Sequence, residues 1–268
     1  MEPIRFIHMS DIHFREAYAP EGFESILAGL PHPRRHVLDA IAAERDHGLD
    51  FVLLTGDIAH EGDMQDYLAV RQLFAECLGA VPLVTLPGNH DRIDGYTQVF
   101  SSGERETLNR TYEIAGLRIV TVYTGDSKDG EITLDQLSWL RQELSVPSAR
   151  GTILALHHPL LAQNGLDAAK YDPALLDIIA QSDIVGIFTG HTHANFIGLF
   201  ADKPYITADS MMFSMDANDG MMTLRNHAAY TLCTLVQKTL SAEVKLVAPI
   251  STVTTRFSIH LLSQSERK

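Results

Sequence analysis

The stretch VPLVTLPGNHD, Val81 to Asp91, is a short bulky apolar run that ends in a glycine and then in residues able to bind a metal or move a proton. A run of this length and makeup reads as a buried strand. The carboxyl ends of strands are where open α/β sheets build their sites. Four other stretches repeat the plan. Ile4–Met9 leads to Asp11-Ile12-His13, and Phe51–Leu54 leads to Gly56-Asp57. Thr152–Leu156 leads to His157-His158-Pro159, and Ile184–Phe188 leads to Gly190-His191-Thr192-His193. One such coincidence would mean little. Five, all carrying Asp, Asn or His, predict a single shared metal cluster.

Helical signals separate the runs. A helix near Arg34–His47 starts behind Pro33, and one over Met64–Leu78 stops at Gly79. Another opens at Thr133, an expected N-cap, and a further one covers Pro173–Gln181. Short strands near Thr111–Ala115 and Arg118–Tyr123 flank a tight turn at Ala115-Gly116. Asp94–Asn109 reads as a polar loop. Beyond His193 the pattern changes to successive antiparallel strands at Phe196–Phe200, Pro204–Ala208, Ala229–Val236 and Ser241–Val247. Parallel units followed by hairpins predict an α/β fold: a four-layer αββα sandwich of two mixed β-sheets flanked by helices. One domain is expected over residues 1–268, with the motifs in 11–193 and a β-rich portion in 194–268.

Composition narrows the function. The 268 residues carry a formal net charge of −13. That charge repels nucleic acid and anionic membranes at long range, and no basic run offsets it. A phosphate ester would be repelled too, unless bound cations reversed the local field. No stretch approaches the roughly 20 apolar residues of a membrane span. The N-terminus has no basic leader, so a cytoplasmic location is expected. Cys77 and Cys233 stand outside every motif and read as small buried hydrophobes.

Carboxylate and amide oxygens combined with imidazole nitrogens suit manganese, iron, zinc, cobalt or nickel. Cys is absent from all five clusters, which excludes a structural zinc finger. Asp-x-His at a strand end puts alternate side chains on one side, so Asp11 and His13 can hold one ion together. His191 and His193 either do the same or diverge to separate ions. The candidate ligands are Asp11, His13, Asp57, Asn89, His157, His191 and His193. Seven exceed what one ion takes, and two ions sharing a carboxylate would use them all. Such pairs sit about 3.5–4 Å apart and clamp the attacking and leaving oxygens of an in-line displacement. A hydroxide bridging them is a competent nucleophile near neutral pH. Gly56, Gly88 and Gly190 precede ligands, and each taken singly reads as an ordinary turn.

The ordered set Asp11-x-His13, Gly56-Asp57, Gly88-Asn89-His90-Asp91, His157 and Gly190-His191-x-His193 resembles the calcineurin-like metallophosphoesterase superfamily. Its bacterial class III cyclic-nucleotide phosphodiesterase branch is the nearest likeness. The resemblance implies that Asp11, His13, Asp57 and His193 hold one metal, and that Asp57, Asn89, His157 and His191 hold the other, with Asp57 bridging. It implies two divalent or trivalent transition metal ions, with manganese, iron and zinc all open. His90 would face the substrate and assist at the phosphate or the leaving oxygen, with Asp91 orienting it by a hydrogen bond. His158 would be a packing neighbour. The family's purple acid phosphatases carry a tyrosine three residues after the bridging Asp; His60 stands there in this chain and would line the site or, in the favoured reading, cap a loop.

The function so implied is hydrolysis of a small phosphodiester, first of all a 3',5'-cyclic nucleotide, by attack of the bridging hydroxide. Glycerophosphodiesters, phosphomonoesters and nucleotide pyrophosphates are alternatives for the same core, and a non-catalytic scaffold is a remote one. The expected partner is a small phosphoester, with no membrane or nucleic acid. The late hairpins offer an edge for a homodimer. Met211, Met212, Met215, Met221 and Met222 read as a lid, a dimer contact or core filling.

Overall fold

The computed structural model describes residues 2–100, 108–247 and 252–258. In chain order its strands are β1 (Ile4–Met9), β2 (Phe51–Thr55), β3 (Leu83–Leu86), β4 (Arg110–Ile114), β5 (Leu117–Val122), β6 (Thr152–Leu156), β7 (Ile184–Thr189), β8 (Phe196–Phe200), β9 (Lys203–Thr207), β10 (Ser214–Asn218), β11 (Met221–Asn226), β12 (Ala229–Val236), β13 (Thr239–Leu246) and β14 (Thr252–Ser258). The helices are α1 (Glu24–Ala28), α2 (Pro33–Glu44), α3 (Met64–Leu78), α4 (Ile93–Phe100), α5 (Leu134–Glu143) and α6 (Ala174–Gln181).

Two mixed sheets form the centre. The first runs β13-β12-β1-β2-β3 and the second β4-β5-β6-β7-β9-β8. Strands β1, β2 and β3 are parallel, as are β5, β6 and β7. Side chains alternate across a strand, so each buried strand serves two layers. Ile4, Phe6, Phe51 and Leu53 fill the space between the sheets, against Ile119, Ile153 and Phe188. Ile7, Met9, Val52 and Leu54 face the other way, onto Val37, Ile41, Tyr67 and Phe74 of α2 and α3. On the second sheet, Val120, Val122, Leu154 and Leu156 meet Leu137, Leu140, Leu175 and Ile179 of α5 and α6. The four-layer αββα sandwich is therefore present. Phe6 stacks on Phe51 at 4.5 Å between the sheets. Truncating such a ring to alanine costs about 3–5 kcal/mol.

Local signals set the helix starts. Thr133 caps α5 through a reciprocal box with Gln136, as expected, and Asp63 does the same for α3 with Asp66. Pro33 occupies the first turn of α2 behind a His32 cap. Buried His36 hydrogen-bonds the carbonyl of Met211 at 2.7 Å and ties α2 to the chain beyond β9.

Several expectations need correction. Asp94–Asn109 is not all loop, because α4 occupies Ile93–Phe100. Tyr96 and Val99 are buried, and the Tyr96 hydroxyl lies 3.1 Å from the carbonyl of Thr85. Residues 101–107 of that stretch lie outside the described residues, as does His260. The late strands are not one antiparallel series: β9 runs parallel to β7, and β12 inserts beside β1 in the other sheet. A third sheet, β10-β11-β14, was not anticipated. Met211, Met212 and Met222 are buried, which makes core filling their role. Cys77 and Cys233 are both free; Cys233 is buried and Cys77 is half-buried. Among the described residues no helix is long and apolar enough to cross a membrane.

Candidate metal centre

The chain leaving β1 and the chain leaving β2 run on side by side past the end of the sheet. The amide of Asp11 donates to the carbonyl of Gly56 at 3.1 Å, that of His13 to Asp57 at 2.8 Å, and that of Phe14 to Ile58 at 3.0 Å. This pairing is bought with backbone strain. Asp11, His13, Asp57, His191 and His193 all have φ between 47° and 71°. The left-handed region costs an ordinary L-residue roughly 1–2 kcal/mol. Strain of that kind concentrates at functional sites, where the surrounding structure over-determines it. Five of the seven candidate ligands carry it here.

The side chains converge at the carboxyl ends of both sheets. Asp11, His13 and His193 bring ligand atoms within 4.8 Å of one another, as do Asp11, Asp57 and His157. The Nε2 atoms of His13 and His193 face each other at 3.0 Å. Two nitrogens bonded at about 2.1 Å to one ion, at right angles, stand about 3 Å apart. Nε2 of His193 is also 3.3 Å from Oδ1 of Asp11. On the other side, Nε2 of His157 lies 3.1 Å from Oδ1 of Asn89. The His191 ring packs 5.1 Å from that of His157 and joins it in a third such group with His158.

Each carboxylate has one oxygen pinned and one aimed inward. Asp11 Oδ2 accepts from the His191 amide at 2.9 Å, and its buried Oδ1 has no hydrogen-bond partner. Asp57 Oδ1 accepts from the His90 amide at 2.9 Å. Its Oδ2 lies 3.5 Å from Nε2 of His13 and 3.4 Å from Nε2 of His157. An orphaned buried carboxylate oxygen is costly unless a cation meets it. The imidazoles are oriented to suit. Nδ1 of His157 donates to the carbonyl of Thr55, and Nδ1 of His193 to that of Phe213, both at 2.8 Å. That leaves Nε2 facing the cluster, the usual arrangement of ligating histidines.

Electrostatics point the same way. Burial holds His13 and His191 well below the usual histidine range, so both are neutral and able to ligate. Burial works against ionisation of Asp57, but His157 and His90 outweigh it and keep the carboxyl well below its ordinary value. His157 feels the reverse: Asp57 overcomes burial and pushes it up to about 9. A proton on His157 thus stands where the buried carboxylates call for positive charge. The Asp and His groups gathered here have the chemistry to hold metal ions.

A family model described as calcineurin-like phosphoesterase matches residues 4–195, a span that holds all five site strands. The chain belongs to the calcineurin-like phosphoesterase family. A Rhodococcus erythropolis protein named "Probable cyclic nucleotide phosphodiesterase" is 29% identical over 91% of this chain and 83% of its own length. A "cAMP/cGMP dual specificity phosphodiesterase" of Mycobacterium tuberculosis is 32% identical over 75% of this chain and 66% of its own. The crystal structure of a dimetal phosphatase from Danio rerio shares the fold with a TM-score of 0.60, at 13% identity, across 87% of this chain and 99% of that one.

Around the donors, this calcineurin-like phosphoesterase departs from expectation at two side chains, Asp91 and His60. Asp91 does not orient His90. Its carboxylate is buried and accepts from the amides of Ile58, Ala59 and Gly88 and from the Tyr67 hydroxyl, at 2.9–3.0 Å. It ties the Asp57 loop to the Asn89 loop. The ring of His90 is instead turned to Glu61, with Nδ1 3.7 Å from Oε1. Burial opposes a charged His90, but Asp57 and Glu61 outweigh it and raise its pKa. His60 is no loop cap: it is buried, its Nδ1 lies 3.1 Å from Nδ1 of His13, and its ring stacks on that of His90. Burial and then His90 push His60 down to about 4. His158 packs against His191 at 4.5 Å, with Nδ1 2.6 Å from the Thr124 hydroxyl.

Two of the glycines do more than turn the chain. A Cβ at Gly88 would stand 2.2 Å from Oδ1 of Asp57, and one at Gly190 would stand 1.8 Å from Oγ of Ser10 and 2.7 Å from Oδ2 of Asp11. Only a residue without a side chain lets these loops approach the carboxylates so closely.

Proposed function

We propose that this chain is a dinuclear metal-dependent phosphodiesterase that hydrolyses a small phosphodiester, a 3',5'-cyclic nucleotide first of all. The observation that carries the dinuclear reading is the placement of Asp57 Oδ2 between Nε2 of His13 and Nε2 of His157, at 3.5 and 3.4 Å. Asp11, His13 and His193 complete one side; Asn89, His157 and His191 complete the other. When bound, such a pair neutralises phosphate charge and activates water. A cleft of about 740 Å³ opens beside the pair, lined by Asn89, His90, Arg92, Asp94 and Gln98 among others. That is within the usual size of a small-molecule site.

His90 reaches this cleft half-exposed, and Glu61 steadies its ring. Its place on the cleft beside Glu61 equips it to hold a proton against the phosphate oxygen and to pass it to the leaving alkoxide. Asp91 keeps the loop bearing Asn89 and His90 fixed against the loop bearing Asp57. The cyclic-nucleotide assignment draws on the printed names of the Rhodococcus and Mycobacterium relatives.

The test is a substrate panel with manganese-loaded protein: cyclic AMP, cyclic GMP, bis-p-nitrophenyl phosphate and p-nitrophenyl phosphate. Turnover of the diesters with metal content near two ions per chain is expected. A marked preference for the monoester overturns the diesterase reading.

A further inference from the structure

Three imidazoles turn Nε2 toward the carboxylates, and in each the proton has to be held on the opposite nitrogen. For His157 and His193 the partner is a backbone carbonyl, of Thr55 and Phe213. A carbonyl can only accept, so Nδ1 of each ring is fixed as the donor. His13 is different. Its Nδ1 lies 3.1 Å from Nδ1 of another side chain, His60. An imidazole nitrogen accepts only when it is the unprotonated one. For His13 to present the Nε2 lone pair, it donates from Nδ1, and His60 accepts at Nδ1 while keeping its own proton on Nε2.

His60 also has a second contact. Its ring lies 5.1 Å from that of His90, with the planes 22° apart, and the His13 ring lies 5.1 Å from His90 as well. Phe23 covers the outer side of His60 at 6.0 Å. His60 is 7% exposed. It is therefore wedged between a candidate metal ligand and the substrate-facing histidine, with little freedom to turn.

We propose that His60 is a positioning residue that fixes the tautomer and ring plane of His13 and, through the same ring, the plane of His90. It touches neither substrate nor metal. The proposal rests on the metal reading above, because only a ligating His13 requires the Nδ1–H form. It makes position 60 the one place where a ligand's orientation depends on a replaceable side chain rather than on backbone, among the three imidazoles compared.

The experiment is nitrogen-15 NMR of the imidazoles in zinc-loaded protein, paired with manganese binding by chelator competition. In wild type, His13 is expected as the Nδ1–H tautomer. His60→Phe keeps a ring against His90 but cannot accept, so His13 should let go of the ion and shift toward the Nε2–H form, donating to Nε2 of His193 3.0 Å away, while His193 keeps its proton on Nδ1. Manganese affinity at the site that includes His13 should fall about 10- to 100-fold, the usual cost of losing such a partner. His60→Asn, whose side-chain oxygen reaches the former Nδ1 position, should restore the His13 tautomer and most of the affinity. Unchanged tautomer and affinity in His60→Phe would overturn the proposal. So would a wild-type His13 already in the Nε2–H form, a result that needs no variant to fold. Wild type that binds no transition metal would sink the metal reading; wild type that binds metal beside an unchanged His60→Phe sinks this proposal alone.

Discussion

The carboxylate of Asp57 and the imidazole of His157 lie 3.4 Å apart, both buried, with Asp57 depressed and His157 raised by each other's charge. The pair forms a buried charge couple in which the His157 proton occupies the place a metal ion would take. Removing Asp57 takes one oxygen from both halves of the donor set. Asp57→Ala should therefore lower metal content from about two ions to fewer than one per chain and abolish diester hydrolysis with it. Elemental analysis after manganese loading checks this. A variant that kept one tightly bound ion would show that Asp57 serves only one half.

His90 has a different signature. It lies outside both donor sets and reaches the cleft. His90→Ala should keep both metals and lower kcat about 100-fold or more, within the usual range for a lost acid–base group. Steady-state kinetics on bis-p-nitrophenyl phosphate, beside metal analysis of the same sample, separates the two effects. Full turnover would remove His90 from the mechanism.

Gly88 tests the close approach of the loops. A methyl group there would meet Oδ1 of Asp57 at 2.2 Å and its backbone nitrogen at 2.5 Å, and the backbone atom cannot swing away. Gly88→Ala should destabilise the fold by about 1–3 kcal/mol, the usual cost of overpacking, and weaken metal binding because Asp57 is displaced. Urea midpoints and manganese titration read the two consequences separately.

The backbone strain can be weighed directly. His193 has φ 49°, which glycine adopts freely and alanine does not. Both His193→Gly and His193→Ala lose the ligand. The strain shows in their difference: in metal-free protein, the glycine variant should be more stable by about 1 kcal/mol. Elsewhere in a regular strand or helix the order would be reversed. Equal urea midpoints would mean that the ligand loops carry no such cost.

Much of this was legible in the sequence, for physical reasons that differ by element. β1, β6, β12 and α3 were placed to the residue, since each carries a buried apolar pattern bounded by polar or breaking residues, and β8 was placed by its apolar sequence although only Phe200 in it is buried. β10 and β14 bury little and owe their existence to pairing with β11, which no local pattern reports. α4 was missed because Tyr96 and Val99 are spaced among Asp94, Gly95, Thr97 and Gln98. The seven candidate donors were legible because each stands just past a strand end. The partners of Asp91 were not, because they depend on which amides converge from another loop. His60 did carry a signal: it lies three residues after Asp57, on the loop that pairs with the one bearing His13.

His8 gives the fold an acid limit distinct from metal loss. It sits on β1 between the sheets, edge-on to Phe188 at 5.0 Å, with Nε2 2.9 Å from the Thr55 hydroxyl and Nδ1 unpartnered. Burial pushes it from 6.5 down to about 3. Above pH 6.5 the ring is neutral in both folded and unfolded chains and imposes no penalty. Between 6.5 and 3 the unfolded chain binds a proton that the folded chain refuses, so stability drops as pH falls, by about 1.4 kcal/mol per unit. At pH 5 the loss from this residue alone should reach about 2 kcal/mol. His8→Phe keeps a ring against Phe188 and removes the titration. Other buried histidines titrate alike in both proteins, so the difference between their pH 7 and pH 5 urea stabilities isolates this residue. Metal-free wild type should lose about 2 kcal/mol more than the variant over that interval; equal losses would show that His8 accepts its proton without unfolding.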